Sequence, residues 1–474
     1  MSNFKSIGTL RNFELKPLTI LTGVNSCGKS SFIQALLLLK QTVEIDSGKY
    51  SLYLDGAYYS AKSYLDIIKA KNKTNKLGFT FEIKKSEFTD FNEAVEKSIF
   101  DSFDDYSCKI HFEYEFNEEE LYISKFEVEY ITDEKNNYVK FDQNLLTSNC
   151  LVEANNDYLF EGVYDDIPPK FLRINYSGIF PNAVELIRSK LIPDPENNDV
   201  MLLDEDTSKI YPNLNSVKSF IKSYFKHLHY IGPLRVEPKD SYAAHRSEYS
   251  VGADGSNVAF ILEKRGGDLI EVNVPIFDEG IISFARRKMT LLKATNIWMC
   301  EVFNFGKKIY AREQADTYAI FLTNHFGIES TIKHVGFGIS QVLPIVVQGL
   351  LLDPGQKLML EQPEIHLHPK IQSFLFDFLY SLINIGKSVI IETHSDHFIT
   401  RMRRRIAEDG TDQLSNAVKL TYVHNEKKEV AFKAMDLDEF GTVDFFPDEF
   451  IERPDIELAA LLKAQSKKRI AKRK

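Results

Sequence analysis

The chain has 474 residues, of which 43% are hydrophobic and 27% are charged, values close to the averages for folded globular proteins. This length allows two or three domains, and the composition excludes a chain that is disordered throughout. The formal net charge of −10 argues against a protein that coats nucleic acid over its whole surface, although it is compatible with a local basic site.

The first predicted elements follow the order strand, glycine loop, helix. An apolar run from Leu18 to Leu21 predicts a buried strand, and the apolar run from Ser31 to Val43 predicts a helix. Between about 79 and 131 apolar and polar residues alternate, which indicates antiparallel strands with one wet, acidic face. Residues from about 140 to 225 show no clear period, and we expect an irregular or partly helical insertion there.

The last third of the chain alternates helix and strand, which is typical of a mostly parallel α/β sheet. A strand that ends in a Gly-Pro turn is expected at 227–235, and the glycine turn at 251–257 leads into a helix. No heptad run joins the two ends, which excludes a long coiled coil. The later elements are predicted as helix 339–352, strand 357–361, helix 370–385, strand 387–392, helix 395–406 and strands 417–424 and 428–434.

These patterns predict an α/β fold with a composite organisation. Residues 1–75 and 226–430 are expected to form one head, with an antiparallel β lobe at 76–140 and an insertion at 141–225 between its halves. A small C-terminal module with a basic tail is expected at 431–474.

Two basic clusters are candidates for a local contact with nucleic acid. One lies in the C-terminal segment KAQSKKRIAKRK, for which a solvated terminus is the simpler interpretation. The other consists of Arg401, Arg403, Arg404 and Arg405.

The cellular environment is indicated by the cysteines and by the apolar segments. The chain has no CxxC pair and no disulfide-framework spacing, which favours a reducing compartment. The first residues lack the apolar core of a signal peptide, and the longest apolar stretch, Val342 to Leu352, is too short to span a bilayer. We therefore expect a cytoplasmic protein that does not contact a membrane.

Residues 23–30 read GVNSCGKS and match the phosphate-loop pattern G-x-x-x-x-G-K-[ST] at every fixed position. Gly23 and Gly28 allow the backbone angles that turn N–H groups toward phosphate oxygens, and the following helix adds its positive N-terminal end. Lys29 is expected to reach the β- and γ-phosphates, and the Ser30 hydroxyl to bind Mg²⁺. A chance glycine turn is the alternative interpretation. The other expected nucleotide contacts are Asn25, Ser26 and Ser31.

In two further motifs, an apolar strand is followed at its carboxyl end by polar residues. In KLMLEQPEIHLHP, Glu361 lies at the carboxyl end of a strand, where a parallel sheet presents ligand-binding groups and where a carboxylate can hold Mg²⁺. In SVIIETHSDH, the strand ends in Thr393 and His394. The imidazole is a candidate to contact the γ-phosphate or to orient the attacking water.

The same two segments allow a rival hypothesis, a metal-dependent hydrolase. Histidine and carboxylate are the ligands that zinc or manganese would use, but this hypothesis leaves the phosphate loop without a role. A single histidine is also more often a packed, hydrogen-bonded residue than a metal ligand. The candidate ligands are Glu364, His366, His368, His394 and His397.

The segment VGFGISQVLP predicts a second phosphate-binding device. Gly336 and Gly338 favour a tight turn, Ser340 is expected as the N-cap of the next helix, and Pro344 is expected in its first turn. A helix N-terminus that carries a hydroxyl binds phosphate well. Two such devices with one phosphate loop indicate a two-fold dimer, in which Gly338, Ser340 and Gln341 bind the nucleotide of the partner.

These motifs, in this order, resemble the ABC-type, SMC-like ATPases of the overcoming-lysogenization branch of the AAA ATPases. The matching letters are GVNSCGKS, VGFGISQ, MLEQPEIHLHP and THSDH, within roughly residues 4 to 60 and 226 to 424. The resemblance implies an ABC-type ATPase head that binds ATP and Mg²⁺. It makes Glu361 the Walker B acid, Ser340 the signature serine and His394 the switch histidine.

The chain departs from this family at one catalytic position. Gln362 stands where many relatives have a second acid that activates water. An amide can orient water but cannot accept its proton, so hydrolysis is expected to be slow unless Glu364 substitutes. The nearest candidate for the family's Q-loop glutamine is Gln41.

The resemblance also implies partners. Relatives often carry a nuclease domain after the ATPase, whereas only a short segment follows the last predicted strand here. This favours a nuclease acting in trans, as in Septu-type anti-phage systems, where the ATPase works beside a separate HNH nuclease. ATP is expected to join two heads in a homodimer or a higher homo-oligomer. The alternative is a DNA repair or recombination ATPase that binds duplex DNA directly.

Overall fold

The structure is a computed structural model. Its core consists of two hydrophobic clusters, one beneath a large antiparallel sheet and one around a mostly parallel sheet. The described residues are 1–45, 51–84, 107–117, 121–131, 136–144, 149–155, 172–193, 201–210, 214–243, 250–278, 281–315, 317–426, 429–445 and 447.

The N-terminal elements join the two sheets. β3 is buried at every position, as expected for a strand that is covered on both faces of a sheet. α1 begins directly at the end of the phosphate loop and buries most of its length in the core beneath the antiparallel sheet. The elements are β1 (Ser2–Phe4), β2 (Ile7–Thr9), β3 (Leu18–Gly23) and α1 (Lys29–Ile45).

A seven-stranded antiparallel sheet follows, in the order β2-β1-β4-β5-β6-β7-β8. Period-two alternation predicted these antiparallel strands, and the prediction is confirmed for β4, β5 and β6. The polar face is less acidic than expected, because lysines from the same strand or from neighbouring strands pair with carboxylates such as Glu127 and Glu129. The new strands are β4 (Leu77–Lys84), β5 (Ser107–Phe116), β6 (Leu121–Ile131), β7 (Asn136–Asn144) and β8 (Asn149–Ala154).

The insertion region contains more strand than the sequence indicated. Its first described residues belong to β7 and β8 of the seven-stranded sheet, and the rest of its described part holds a three-stranded antiparallel sheet and one helix, rather than mainly irregular or helical chain. The sequence did not predict these strands, because β10 contains proline, asparagine and charged residues. The formation of such a strand depends more on its neighbouring strands than on the strand propensity of its own residues. The elements are β9 (Leu172–Ser177), β10 (Phe180–Pro193), β11 (Met201–Ile210) and α2 (Asn215–Lys226).

The middle of the chain returns to the parallel sheet and then adds a second group of strands. β12 lies at one edge of the parallel sheet, while β13, β16, β17 and β18 form a separate antiparallel sheet and β14 and β15 form a hairpin. The elements are β12 (Leu228–Ile231), β13 (Tyr242–Ala243), α3 (Val258–Arg265), β14 (Leu269–Asp278), β15 (Ile281–Thr290), α4 (Leu291–Asn296) with a π-helical turn at Ile297–Val302, β16 (Lys308–Gln314), β17 (Thr317–Thr323) and β18 (Glu329–Thr331).

The last third alternates helix and strand as predicted, with boundaries that differ by one to a few residues. The strand predicted at 357–361 has the same limits in the structure. The elements are α5 (Phe337–Leu351), β19 (Lys357–Glu361), α6 (Pro369–Ile383), β20 (Ser388–Glu392), α7 (Asp396–Glu408), α8 (Gln413–Ala417), β21 (Val418–Glu426) and β22 (Glu429–Met435).

The parallel sheet has the strand order β12-β19-β20-β3-β21-β22. All neighbours in it run parallel except β21 and β22. The prediction of an α/β fold with a mostly parallel sheet is therefore confirmed. Because β20 lies between β19 and β3, the carboxyl ends of these three strands meet at one edge beside the phosphate loop.

The helix after the VGFGISQ segment begins earlier than predicted. Its N-cap is Gly336 and its first residue is Phe337, so Ser340 is inside the helix, where its hydroxyl donates to the Phe337 carbonyl over 2.7 Å. The expectation that Ser340 caps this helix is wrong. Pro344 is likewise in the helix interior rather than in the first turn.

The arginine cluster is occupied by internal contacts. Arg401 and Arg405 both bind the buried carboxylate of Asp377, while Arg404 pairs with Glu408 and Arg403 donates to the Gly441 carbonyl. This part of the chain is therefore not an open basic patch. The basic tail lies outside the described residues.

The described residues include no helix with the length and apolar character needed to cross a membrane. All four cysteines are unpaired and buried.

Candidate functional site

The phosphate loop has a backbone that only glycine adopts without strain at two positions. Gly23 has φ of 138° and Gly28 has φ of 102°. A Cβ at Gly23 would lie 2.0 Å from the Val423 carbonyl oxygen on the neighbouring strand β21. These angles and this close approach match the turn that the sequence predicted between β3 and α1.

Lys29 lies inside the loop and is only 2% exposed. Its ammonium group donates to the carbonyls of Gly23 and Val24 over 3.0 and 2.6 Å, and it approaches the Cys27 sulfur at 3.6 Å. The loop carbonyls therefore hold a positive charge at the centre of the turn, where anionic phosphate oxygens would bind.

Ser30 contacts a carboxylate that the motifs did not single out. Its hydroxyl donates to Oε1 of Glu392 over 3.0 Å. Glu392 ends β20, the strand next to β3, and the register pairs it with Leu21. Burial, together with the nearby carboxylate of Glu361, raises the pKa of Glu392 to about 7.

Glu361 ends the neighbouring strand β19 in register with Glu392, as a Walker B acid was expected to do. Its Oε1 accepts a hydrogen bond of 2.6 Å from the Tyr230 hydroxyl on β12. Its backbone carbonyl accepts from the buried guanidinium of Arg235 over 3.3 Å. Burial raises the pKa of the Glu361 carboxyl. The side chain therefore bonds toward β12, on the side away from the phosphate loop.

Arg235 also reaches the VGFGISQ helix. Its second terminal nitrogen lies 3.5 Å from Oε1 of Gln341, while its Nε is buried without a hydrogen-bond partner. Burial lowers the pKa of Arg235 to about 10, and the carboxylate of Glu364 opposes this change. One cation thus connects the end of β19 with α5.

The residues after Glu361 adopt an unusual turn. Gln362 has a positive φ of 43°, and its N–H donates to the Glu392 carbonyl over 2.8 Å. Oε1 of Glu364 accepts from the His394 N–H over 2.6 Å, while its Oε2 is buried without a hydrogen-bond partner. Burial raises the pKa of Glu364. A strained non-glycine residue beside buried carboxylates is typical of a functional site.

His394 lies close to the phosphate loop, as its predicted role requires. Burial and the charge of Lys29 together lower the pKa of this imidazole to about 4, although a hydrogen bond with the Gly23 backbone opposes the change. The ring is therefore neutral near pH 7, so it can accept or donate a hydrogen bond without adding a charge to the site.

The VGFGISQVLP segment, predicted as a second phosphate-binding site, does not contact the phosphate loop of its own chain in the described residues. Ser340 bonds within its own helix, and Gln341 donates to Ser340 and accepts from Arg235. Gly338 has the His366 backbone and Leu367 as its nearest neighbours. In the described part of the chain, none of these contacts reaches the loop at 23–30.

Gln41 serves a structural purpose instead of the Q-loop role for which it was the nearest candidate. Its side-chain amide donates to the carbonyls of Tyr53 and Tyr59 and accepts from the Tyr59 N–H. All of these bonds fasten the segment after α1 to the helix, so the side chain is not directed at the nucleotide site.

The rival metal-hydrolase cluster does not assemble. No group of three or more His, Cys, Asp or Glu side chains within the described ranges could hold a metal ion. His368 is the N-cap of α6, where its Nδ1 accepts from the Lys370 N–H, and His366 packs edge-on against Phe337 at 5.1 Å. His366 and His368 are both exposed, so neither is the packed residue that the simpler interpretation of a single histidine predicted, although His368 is hydrogen-bonded.

Comparison with known proteins identifies the family. A family model described as an AAA ATPase domain matches residues 1–399. The chain belongs to this AAA ATPase domain family. Comparison of the AAA ATPase with curated proteins returned no match.

Solved structures show distant likenesses to this AAA ATPase. An SMC head domain from Thermotoga maritima has 10% sequence identity and a TM-score of 0.35, with 92% of this chain and 97% of that chain covered. The Smc head domain with an extended coiled coil bound to the C-terminal domain of ScpA, derived from Pyrococcus furiosus, has 10% identity and a TM-score of 0.37, with 92% and 94% covered.

The site of this AAA ATPase fits a nucleotide-bound Mg²⁺ ion. Such an ion keeps several waters and phosphate oxygens and needs only one or two oxygen ligands from the protein. The Ser30 hydroxyl and the Oε2 of Glu392, which has no hydrogen-bond partner, are oxygen atoms that could serve as such ligands. Glu361 lies in register on the next strand. A bound Mg²⁺ would neutralise charge on the phosphate oxygens.

Three side chains of the AAA ATPase site were missed from the sequence. Glu392 carried the same signal as Glu361, an acid at the end of an apolar strand, and could have been found in that way. Tyr230 and Arg235 gave no comparable signal, because their importance depends on the placement of β12 beside β19.

Proposed function

We propose that this AAA ATPase binds and hydrolyses Mg·ATP at the phosphate loop and works as an ABC-type head. One observation carries the proposal: Lys29 is held inside the loop, and the buried carboxylates of Glu392 and Glu364 lie beside it, where Glu392 accepts from Ser30 and Glu364 accepts from the His394 N–H. A fixed cation for the phosphates beside buried carboxylates for metal and water is what phosphoryl transfer requires.

Glu364 is the residue we assign to proton acceptance in hydrolysis. Burial raises its pKa, which makes it a stronger base, and its Oε2 is partner-free. Gln362 lies in the strained turn before it and can orient a water molecule but cannot take its proton. His394 supports the site as a neutral hydrogen-bonding group next to the loop.

Turnover of Mg·ATP by the purified chain tests this assignment. Lys29→Ala is expected to weaken nucleotide binding at least about tenfold and to remove turnover, because the phosphates lose their cation. Glu364→Gln is expected to lower kcat about 100-fold while nucleotide binding persists, because the amide accepts no proton. Phosphate release and equilibrium binding of a fluorescent ATP analogue measure the two effects.

Matched controls separate these outcomes from general damage. Lys62→Ala removes an exposed lysine near the loop in sequence and should leave both measurements unchanged. Equal nucleotide affinity in Lys29→Ala and in the unaltered protein would refute the binding site. ATP turnover that is seen only in Gln362→Glu would refute Glu364 as the base. It would indicate that the unaltered protein binds ATP without hydrolysing it and acts as a switch.

We also infer a two-fold dimer in which α5 of one copy binds the nucleotide of the other. The support is that Ser340 and Gln341 make no contact with the loop of their own chain, although the segment resembles the ABC signature. Light scattering of Glu364→Gln is expected to show a monomer without nucleotide and a dimer with ATP. The same mass under both conditions, or a dimer that also forms in Lys29→Ala with ATP, would contradict this arrangement.

The biological role that we propose is an ATP-gated regulatory subunit of an anti-phage complex with a separate HNH nuclease, as in Septu-type systems. This rests on the resemblance of the four motifs. The alternative, a repair ATPase that binds duplex DNA directly, has less support, because Arg401 and Arg405 are bound to the buried Asp377 and Arg404 is paired with Glu408. ATP-dependent duplex binding that weakens steeply with salt would reverse this preference.

A further inference from the structure

Glu392 combines deep burial with a carboxyl oxygen that has no hydrogen-bond partner. Its side chain is 2% exposed, one oxygen accepts from Ser30, and the other has no hydrogen-bond partner. A buried carboxylate oxygen that is left unpaired is costly, so its retention indicates a ligand that is bound in the working state.

No cation in the described part of the chain is bonded to that oxygen, although the charge of Lys29 acts on the Glu392 carboxyl and lowers its pKa. Among the described residues, Glu392 forms no ion pair with lysine or arginine, and the hydrogen bonds of Lys29 all go to Gly23, Val24 and Cys27. Glu361 lies in register on the next strand and adds a second negative charge. The local field therefore favours a cation beside Ser30.

The strand order places Glu392, rather than Glu361, next to the loop. Neighbouring strands are about 4.8 Å apart, and β20 adjoins β3, whereas β19 lies one strand farther away. Glu361 is also bonded to Tyr230 on the far side. The sequence predicted Glu361 and Ser30 as ligands of Mg²⁺, and the structure adds Glu392 as the carboxylate that contacts Ser30 directly.

We infer that Glu392 and Ser30 form the protein side of the divalent-cation site, and that Glu361 acts as a positioning residue held by Tyr230. This inference rests on the proposed function, because the cation would arrive with the nucleotide. Carboxylate and hydroxyl oxygens are suitable ligands for Mg²⁺ and for Mn²⁺, which can serve as its probe.

Binding of Mn²⁺ tests the inference without reference to turnover. The free Mn²⁺ signal in electron paramagnetic resonance is followed while the full chain, saturated with a non-hydrolysable ATP analogue, is titrated. Glu392→Gln is expected to weaken Mn²⁺ binding at least about tenfold, and Glu361→Gln to weaken it less. Glu426→Gln is the matched control, since this glutamate also ends a strand but is exposed.

Nucleotide binding in the presence of a chelator shows whether each variant is folded and whether the proposed function holds. If the unaltered chain binds no nucleotide, the proposed function fails. If it binds nucleotide and Mn²⁺, and Glu392→Gln binds Mn²⁺ equally well while Glu361→Gln does not, the inference alone fails.

A double-mutant cycle gives a second readout if Glu392→Gln is poorly folded. Ser30→Ala and Glu392→Ala are measured alone and together. Two ligands of one ion are expected to show non-additive losses of Mn²⁺ affinity. Additive losses would overturn the shared site.

Discussion

Asp377→Asn is expected to lower the free energy of unfolding by about 3–5 kcal/mol, because removing one partner of a buried ion pair leaves charge buried without compensation. Asp377 is fully buried, and its carboxylate accepts from both Arg401 and Arg405. These bonds join α6 to α7, the helices that follow Glu361 and His394. The asparagine keeps the shape but loses the charge that holds both guanidinium groups.

The chain contains one tryptophan, which provides a local probe for this loss. Trp298 is buried and packs edge-on against Phe378 of α6 at 5.1 Å, so its fluorescence reports on the unfolding of that helix. Chemical denaturation is expected to show a clearly lower midpoint for Asp377→Asn than for the unaltered chain.

An exposed ion pair supplies the control. Glu271 pairs with Arg286 on the hairpin of β14 and β15, and both side chains are more than half exposed. Exposed pairs contribute about 0–1 kcal/mol, so Glu271→Gln should shift the midpoint little. Equal midpoints for Asp377→Asn and Glu271→Gln would show that the buried cluster does not stabilise the helices.

The second large effect is expected for Gly23→Ala. A methyl group there would lie 2.0 Å from the Val423 carbonyl oxygen, and the backbone has a φ of 138° that L side chains rarely adopt. Gly23 and Val423 are register partners of β3 and β21, so neither backbone can move away without disrupting the pairing. We expect a loss of about 2–4 kcal/mol in stability and at least about a tenfold loss of ATP affinity.

Gly267→Ala is the comparison for this change. Gly267 follows α3, has no atom within 4 Å of its added Cβ and does not have positive φ, so alanine should fit. The fluorescence of Trp298 during denaturation measures stability in both variants, and equilibrium binding of a fluorescent ATP analogue measures the site. If Gly23→Ala changes neither the stability nor the affinity for the ATP analogue, the loop geometry described above is contradicted.

The elements found correctly from the sequence are those whose signal is local. The phosphate loop depends on glycines and a lysine within eight neighbouring positions, and backbone sterics determine its turn whatever lies elsewhere. The strands of the parallel sheet were recognisable because strands covered on both faces are apolar throughout. Glu361 and His394 followed from their places at the ends of such strands.

Other features depended on which segments become neighbours. Ser30 and Glu392 are 362 residues apart, and their contact exists because β20 is placed between β19 and β3. Four arginines in one helix suggested a basic patch until Asp377, on another helix, was seen to bind two of them. A local sequence pattern does not indicate the order of strands in a sheet, and it does not indicate which residue will pair with a buried charge.

The sequence by itself determined that this chain has a phosphate loop at the start of a helix, acids at the ends of buried strands and an α/β fold, since each follows from short-range sterics and hydrophobic period. Only the tertiary structure decided which carboxylate faces Ser30, that Tyr230 holds Glu361 and that α5 starts at Phe337. The physical reason is that these contacts result from long-range packing of strands and helices, which is chosen by the burial of the whole core rather than by any local segment.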